Sequence, residues 1–314
     1  MINVIIIGLG SIGKRHLESI LKFKQHLNIY LIDINFNNKT NQTLNSNFHK
    51  IYFFDKIKNF NIKFDLAIVS TNSDVRYKVT ENLLSKNKIK VILLEKICFS
   101  HIQAYNKFEK QIKLHGIRAF INYPRSSWRS YSQIKNFLQH DKITSIEFRS
   151  SSWNLASNSL HFIHLFNYLT ETNSIKLINE KVYNRYFLSK RKGFYEIKGY
   201  LLFKNEKDQR LFLSDTYQYA NSIIIINTVN YVVQINERKG FYKIINKKNK
   251  NNVKKIFKVE FQSNLTHKFL NCIISNKNSL LPEFKICMDS DVIFLKSINK
   301  IVKNKFNVKN FIIT

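Results

Sequence analysis

The sequence predicts an α/β domain with a doubly wound, mostly parallel sheet over residues 1–121. Behind it, over residues 122–314, it predicts an α+β domain with a large, open-faced, mostly antiparallel sheet. Three observations carry this reading. Short apolar runs and helical patterns alternate as far as Asn122, and Gly8, Gly10 and Gly13 stand in one frame between the first run and the first helix. Beyond Tyr123-Pro124 the rhythm changes to a few helical stretches and a long series of short strands. Alternation implies a parallel sheet because parallel neighbours need a crossover, whereas strands in series pair as hairpins.

The elements follow in order. The apolar stretch Ile2 to Leu9 begins directly after Met1 with no basic segment, so a strand, Asn3 to Gly8, is expected rather than a secretion leader. Lys14 to Phe23 is helix-like, with Leu17, Ile20 and Leu21 spaced for one buried face. Strands are expected at Asn28 to Ile34, Asp65 to Thr71, Ile89 to Glu95 and Ile117 to Asn122. Between them lie a helix from Ser73 to Lys86 and a second, capped by Ser100, running to about His115. In the second half, Ser130 to Leu138 and Asn158 to Leu169 read as helices, and Ile143 to Ser150 as extended. From Ile175 to Val259 the strands KVYNRYFL, YEIKGYLLF, RLFLSDTY, SIIIINTV, YVVQIN and FYKIIN alternate with polar turns such as KNEKDQ and ERKG. Helices at Ser263 to Ser275 and Glu283 to Ile301 follow.

Charge is the feature most apt to mislead. With 51 Lys+Arg against 21 Asp+Glu the net charge is +30. Both halves are basic, and the densest stretch, Asn246 to Lys258, holds Lys247, Lys248, Lys250, Lys254 and Lys255. Heavy joint use of Lys, Asn and Ile, with scarce Gly and Pro, reads as a compositional bias rather than a binding surface. The alternative is an anionic partner: a nucleotide-sugar, a membrane surface or, less favoured, nucleic acid. No apolar run reaches the roughly 18–20 residues of a membrane span. Cys98, Cys272 and Cys287 form no CxxC pair, so neither a zinc site nor a disulfide framework is expected, and a reduced, cytoplasmic setting is.

Gly8-Leu9-Gly10-Ser11-Ile12-Gly13 is a GxGxxG run that follows a strand and opens a helix. In that context it is the Rossmann dinucleotide fingerprint, with the pyrophosphate at the helix N-terminus. Asp33, twenty residues after Gly13 at the end of the second strand, is placed to accept hydrogen bonds from a ribose and to repel a 2′-phosphate. NAD is therefore expected over NADP, although Asn35, Asn37 and Lys39 follow. Glu95-Lys96 ends another strand, where ligands of open α/β sheets bind. Lys96 there is a candidate proton carrier for alcohol–ketone interconversion, the alternative being an exposed strand-end pair. His161 and His164 are three residues apart, but no cysteine or carboxylate lies nearby in sequence, so no metal is expected. Tyr217, Tyr219, Tyr231 and Phe241 read as sheet residues rather than a base-stacking platform.

Four stretches, IIIGLGSIGKRHL at 5–17, VSTNSDVRYKV at 69–79, LLEKICF at 93–99 and NSLHFIHLFNYLT at 158–170, together resemble the Gfo/Idh/MocA oxidoreductases. SNLTHKF at 263–269 and Leu281-Pro282 extend the resemblance. It implies a Rossmann domain plus an open-faced sheet domain, and NAD(P)-dependent hydride transfer on a sugar-like, nucleotide-linked alcohol or ketone. It also implies a homo-oligomer, dimer or tetramer, joined through the open sheet face. The 158–163 stretch is similar to one in members from surface-polysaccharide clusters. By position, Lys96 matches the family's catalytic Lys and His161 its active-site His. Ser11, Ile12, Thr71, Asn72 and Glu95 join Gly8, Gly10, Gly13, Asp33 and Lys96 around the cofactor, and Asn122, Arg125 and Asn158 join His161 toward the substrate. The departures are Ile97 and Asn72 for prolines, Arg76 for a His, and Ser157 and His164 for two Asp. Loss of those carboxylates is expected to weaken the hold on a protonated His161. This keeps open a catalytically impaired, cofactor-binding sensor or partner protein.

Overall fold

The computed structural model describes residues 1–36, 43–45, 48–216, 222–306 and 311–313. Asn37, Lys39, Tyr217 and Tyr219 lie outside these. The chain forms two compact units: residues 1–124 with 260–286, and residues 125–259 with 287–313. This differs from one boundary at 121–122, because Phe269, Leu270, Ile273 and Leu281 are buried in the same apolar cluster as Val4, Ile29, Ile68 and Leu93. A segment late in the sequence thus completes the core of the first unit.

Unit 1 is the doubly wound domain. Its strands are β1 (Ile2–Ile7), β2 (Leu27–Ile32), β3 (Thr43–Asn45), β4 (Lys50–Phe54), β5 (Leu66–Val69), β6 (Val91–Leu94) and β7 (Arg118–Ile121). They lie in the order β3-β4-β2-β1-β5-β6-β7, parallel throughout except for β3 against β4. β3 and β4 were not expected from the sequence; β4 reads KIYFF and carries no apolar–polar alternation. The helices α1 (Ser11–Ile20), α2 (Ser73–Lys86) and α3 (Ile102–Leu114) are the crossovers. The α3 cap is His101 and not Ser100, and no side chain closes it. β5 and β6 are buried along their whole length, as strands covered on both faces must be.

Unit 2 contains α4 (Arg129–Phe137), β8 (Ile143–Ser150) and α5 (Leu155–Thr170). Then come β9 (Lys176–Val182), β10 (Gly199–Lys204), β11 (Arg210–Asp215), β12 (Ile223–Thr228), β13 (Tyr231–Asn236), β14 (Phe241–Asn246) and β15 (Asn252–Ile256). The sheet order is β9-β10-β11-β8-β12-β13-β14-β15. All pairs are antiparallel except β8 with β11. Burial alternates along β10, β12 and β13: Leu201, Phe203, Ile224, Ile226, Val233 and Ile235 are buried, while the residues beside them are partly exposed. Of the five lysines in the dense stretch, Lys254 and Lys255 lie on β15, an edge strand with every residue exposed, and Lys247, Lys248 and Lys250 lie in the turn before it. Charge on an edge strand discourages further pairing, and such a strand lacks the apolar alternation by which it could be foreseen.

Candidate functional site

Gly8, Ser70-Thr71-Asn72 and Glu95-Lys96 directly follow β1, β5 and β6, three neighbouring strands. Chain order reverses between β1 and β5, which is where open α/β sheets bind ligands. A groove of about 530 Å³ opens there. Gly8, Gly10, Asp33, Thr71 and Asn72 line it, together with Asn35, Asp55, Lys56 and Ile57 and with Val75, Val79 and Asn82 of α2. Of these, Asp55, Lys56, Ile57 and Asn82 belong to no sequence motif and were not foreseen.

The three fingerprint glycines have separate reasons. Gly8 takes φ +87, which L side chains rarely adopt, and its N–H donates to Ile32 O at 2.8 Å. A Cβ on Gly13 would sit 1.9 Å from Gly8 O and 2.8 Å from Ser70 Oγ, so α1 packs on the β1 turn only without one. A Cβ on Gly10 would meet nothing within 4 Å, leaving that backbone open on the groove side. Ser11 and Ile12 form the first turn of α1, whose leading N–H groups have no partner within the helix. These features fit a dinucleotide: a phosphate cradle at Gly10–Gly13 and an apolar slot at Val75 and Val79. Asp33 completes the fit. Its Oδ2 accepts the Leu9 N–H at 2.6 Å and its Oδ1 accepts the N–H and the side-chain amide of Asn35, both at 2.9 Å.

Glu95 does not line this groove. It is buried, and its Oε1 accepts His16 Nε2–H at 2.9 Å and a short hydrogen bond from Asn122 Nδ2. His16 Nδ1 lies 2.8 Å from Thr266 Oγ1, and Asn122 Nδ2 also donates to Gln262 Oε1 at 2.9 Å. Burial pushes the Glu95 carboxyl up. The hydrogen bond and charge of His16, the Asn122 amide and the charge of Arg76 outweigh it, so the group is held below the usual carboxylate range. Glu95 and Asn122, expected at cofactor and substrate, are thus placed in an internal network of unit 1. Lys96 is half-buried, and the Lys96–Ile97 peptide is cis.

In unit 2 the remaining candidates gather at the start of α5. The Asp215 carboxylate accepts N–H bonds from Ser152 (2.6 Å), Trp153 (3.0 Å) and Asn154 (3.0 Å). This offsets the left-handed φ of Ser152 and Asn154, 55° and 68°. Burial raises the Asp215 carboxyl despite those bonds and nearby Lys198. Glu196 accepts the N–H of Ala156 at 3.0 Å and of Ser157 at 3.3 Å, and the Ser157 hydroxyl donates to it as well. A carboxylate at a helix N-terminus satisfies donors the helix leaves free and suits its dipole. On the same helix His164 Nε2 lies 2.6 Å from Asp291 Oδ1, both buried. Positions 157 and 164 thus each face a carboxylate from elsewhere in the unit, Glu196 at Ser157 and Asp291 at His164.

His161 sits half-buried on α5, three residues before His164. Asn158 Nδ2 donates to Trp153 O at 2.7 Å. Arg125 is engaged within unit 2. Its Nε and Nη2 each donate to Glu237 at 2.9 Å, and its guanidinium lies 4.5 Å from the Phe162 ring centre and 5.3 Å from that of Trp128. Burial lowers its pKa, but the charge and hydrogen bonds of Glu237 raise it further. Tyr131 also donates to Glu237, at 2.5 Å. Among the described residues no group of three or more His, Cys, Asp or Glu could hold a metal ion, and no helix is long and apolar enough to cross a membrane.

Residues 2–123 match the GFO_IDH_MocA model, the oxidoreductase family with an NAD-binding Rossmann fold. That segment has the family's NAD-binding Rossmann fold. Solved structures that share the fold align along nearly all of the chain. A dehydrogenase (MviM) from Clostridium difficile is 15% identical with a TM-score of 0.67, covering 96% of this chain and 99% of its own. UDP-N-acetylglucosamine 3-dehydrogenase from Acidithiobacillus ferrooxidans is 10% identical with a TM-score of 0.68, covering 96% of each chain. The transcriptional regulator Gal80p from Kluyveromyces lactis is 17% identical with a TM-score of 0.70, covering 98% of this chain and 92% of its own. No curated protein matches by sequence.

Proposed function

We propose that this chain is an NAD-dependent oxidoreductase that transfers hydride to or from a sugar-like, nucleotide-linked alcohol or ketone. The observation that carries the reading is the groove at the β1–β5 reversal, with an open Gly10 backbone at one side and the Asp33 carboxylate at the other. When bound, the nicotinamide supplies or accepts hydride. The protein's own residues do the rest. The first turn of α1 holds the pyrophosphate, Asp33 holds the ribose, and Thr71 and Asn72 bound the cofactor from the β5 turn. Lys96, at the end of β6, carries the hydroxyl proton. His161 is assigned to the substrate oxygen, on a helix whose start is fixed by Glu196 and Asp215. Asn158 lies one turn earlier and is assigned to the sugar. Likeness in fold to a UDP-sugar dehydrogenase supports a nucleotide-linked substrate, and the partly exposed outer sheet face supports a dimer or tetramer.

The reading is tested by titrating NADH and NADPH by nicotinamide fluorescence and by identifying co-purified ligand by mass spectrometry. Lys96→Met is expected to abolish turnover of that ligand while NADH affinity stays within a few-fold. Retention of most activity would remove Lys96 from the chemistry.

A second reading is a cofactor-binding regulator. It is favoured by fold likeness to Gal80p and by the substitutions at Ile97 and Arg76. NADH binding with no turnover of any nucleotide-sugar would select it.

A further inference from the structure

Arg76 is 1% exposed and is the largest fully buried side chain among the described residues. It stands on the first turn of α2, where its own N–H donates to Asn72 O at 3.0 Å. Its guanidinium donates to four backbone carbonyls. Nη1 donates to Glu95 O at 2.5 Å, to Cys98 O at 3.0 Å and, in a short bond, to Ile97 O; Nη2 makes a short bond to Thr71 O. These carbonyls belong to two loops. One is the β5 turn, whose Thr71 and Asn72 line the groove; the other is the loop after β6, and its three bonded carbonyls flank Lys96 on both sides. Buried carbonyls need donors, and a planar guanidinium with donors on separate nitrogens can serve two loops at once. A lysine ammonium is a single point at the end of a flexible stem and cannot span them the same way.

We propose that Arg76 is a positioning residue that fastens the Lys96 loop to the cofactor turn, so that Lys96 is held in register with a bound dinucleotide. The proposal deepens the oxidoreductase reading and rests on it for the placement of the nicotinamide beside Lys96. It assigns Arg76 no contact with cofactor or substrate.

The test uses the full chain and the labelling of Lys96 by trinitrobenzenesulfonate, read by peptide mass spectrometry. Lys86, exposed at the far end of α2, serves as the internal control. With NADH at about ten times its Kd, mass action slows Lys96 labelling in the wild type about tenfold while Lys86 is unaffected. In Arg76→Lys, which keeps the charge but not the fork, NADH still binds within a few-fold, yet its protection of Lys96 falls to near none. Arg76→Met gives the same result if it folds, and if it does not, Arg76→Lys decides. Full protection of Lys96 in a folded variant overturns the proposal. If the wild type binds no NADH, the oxidoreductase reading fails on its own. The positioning role is then judged on the Lys96-to-Lys86 labelling ratio without cofactor: a several-fold change in Arg76→Lys supports it, and an unchanged ratio overturns it.

Discussion

His16 Nε2 donates to Glu95 Oε1 across 2.9 Å, joining the first helix of the chain to the end of β6 in a fully buried contact. The bond places the Glu95 side chain inside unit 1 while the next residue, Lys96, is half-buried at the strand end. Because the folded carboxyl is held below its ordinary value, its stabilising contribution is complete above the unfolded value of about 4.3 and is lost as pH falls through the folded one. Glu95→Gln is expected to cost about 1.5–3 kcal/mol at pH 7, the worth of charge-assisted hydrogen bonds. Thermal melts of both proteins from pH 7 downward check this: the gap should shrink as the pH is lowered below about 4.3. A gap that stays constant would mean that the charge contributes nothing.

The fingerprint glycines should separate by experiment. Gly13→Ala drives a methyl into Gly8 O, which is backbone and cannot give way, so the variant should lose about 1–3 kcal/mol or more and bind NADH poorly. Gly10→Ala meets open space and should melt like the wild type, yet weaken NADH binding by filling the side from which a pyrophosphate approaches. Paired melts and fluorescence titrations distinguish the two. Unchanged NADH affinity in a folded Gly10→Ala protein would move the phosphates elsewhere.

Asp33 is expected to set the choice of NAD over NADP. Asp33→Asn keeps an acceptor for the Leu9 N–H but removes the charge. NADH affinity should fall roughly 10- to 100-fold, corresponding to about 1.5–3 kcal/mol for a charged hydrogen bond. Discrimination against NADPH should narrow, because the repulsion of a 2′-phosphate is gone. Wild-type protein that binds both cofactors equally would show that Asp33 is not at the ribose.

The two histidines of α5 should behave differently. His164→Ala strands the buried Asp291 carboxylate and should lower stability by about 3–5 kcal/mol, as removal of one partner of a buried pair does. His161→Ala should leave the melting temperature near that of the wild type and lower kcat by about 10²–10⁴. Steady-state kinetics with melts as a control check both. A larger kinetic loss for His164→Ala in protein that remains folded would shift the active-site position by one turn of the helix.

What the sequence determined by itself was local in character. Hydrophobic period gave the alternation of unit 1, and YVVQIN and FYKIIN fall on β13 and β14 residue for residue. The frame of Gly8, Gly10 and Gly13 located the turn between β1 and α1 because a positive φ and a close helix approach leave a trace at fixed spacing. Tertiary structure decided the rest. Ser157 and His164 read as lost carboxylates in the sequence, yet Glu196 and Asp291 stand against them from 39 and 127 residues away. Arg76 read as a mere departure, and only the apposition of the β5 and β6 loops shows that its fork bonds to both. The return of 260–286 to the first core, with Thr266 beside His16 and Gln262 beside Asn122, leaves no mark in local spacing. A buried polar group needs a partner but does not specify where in the chain that partner lies, and the choice is made only when packing brings distant segments together.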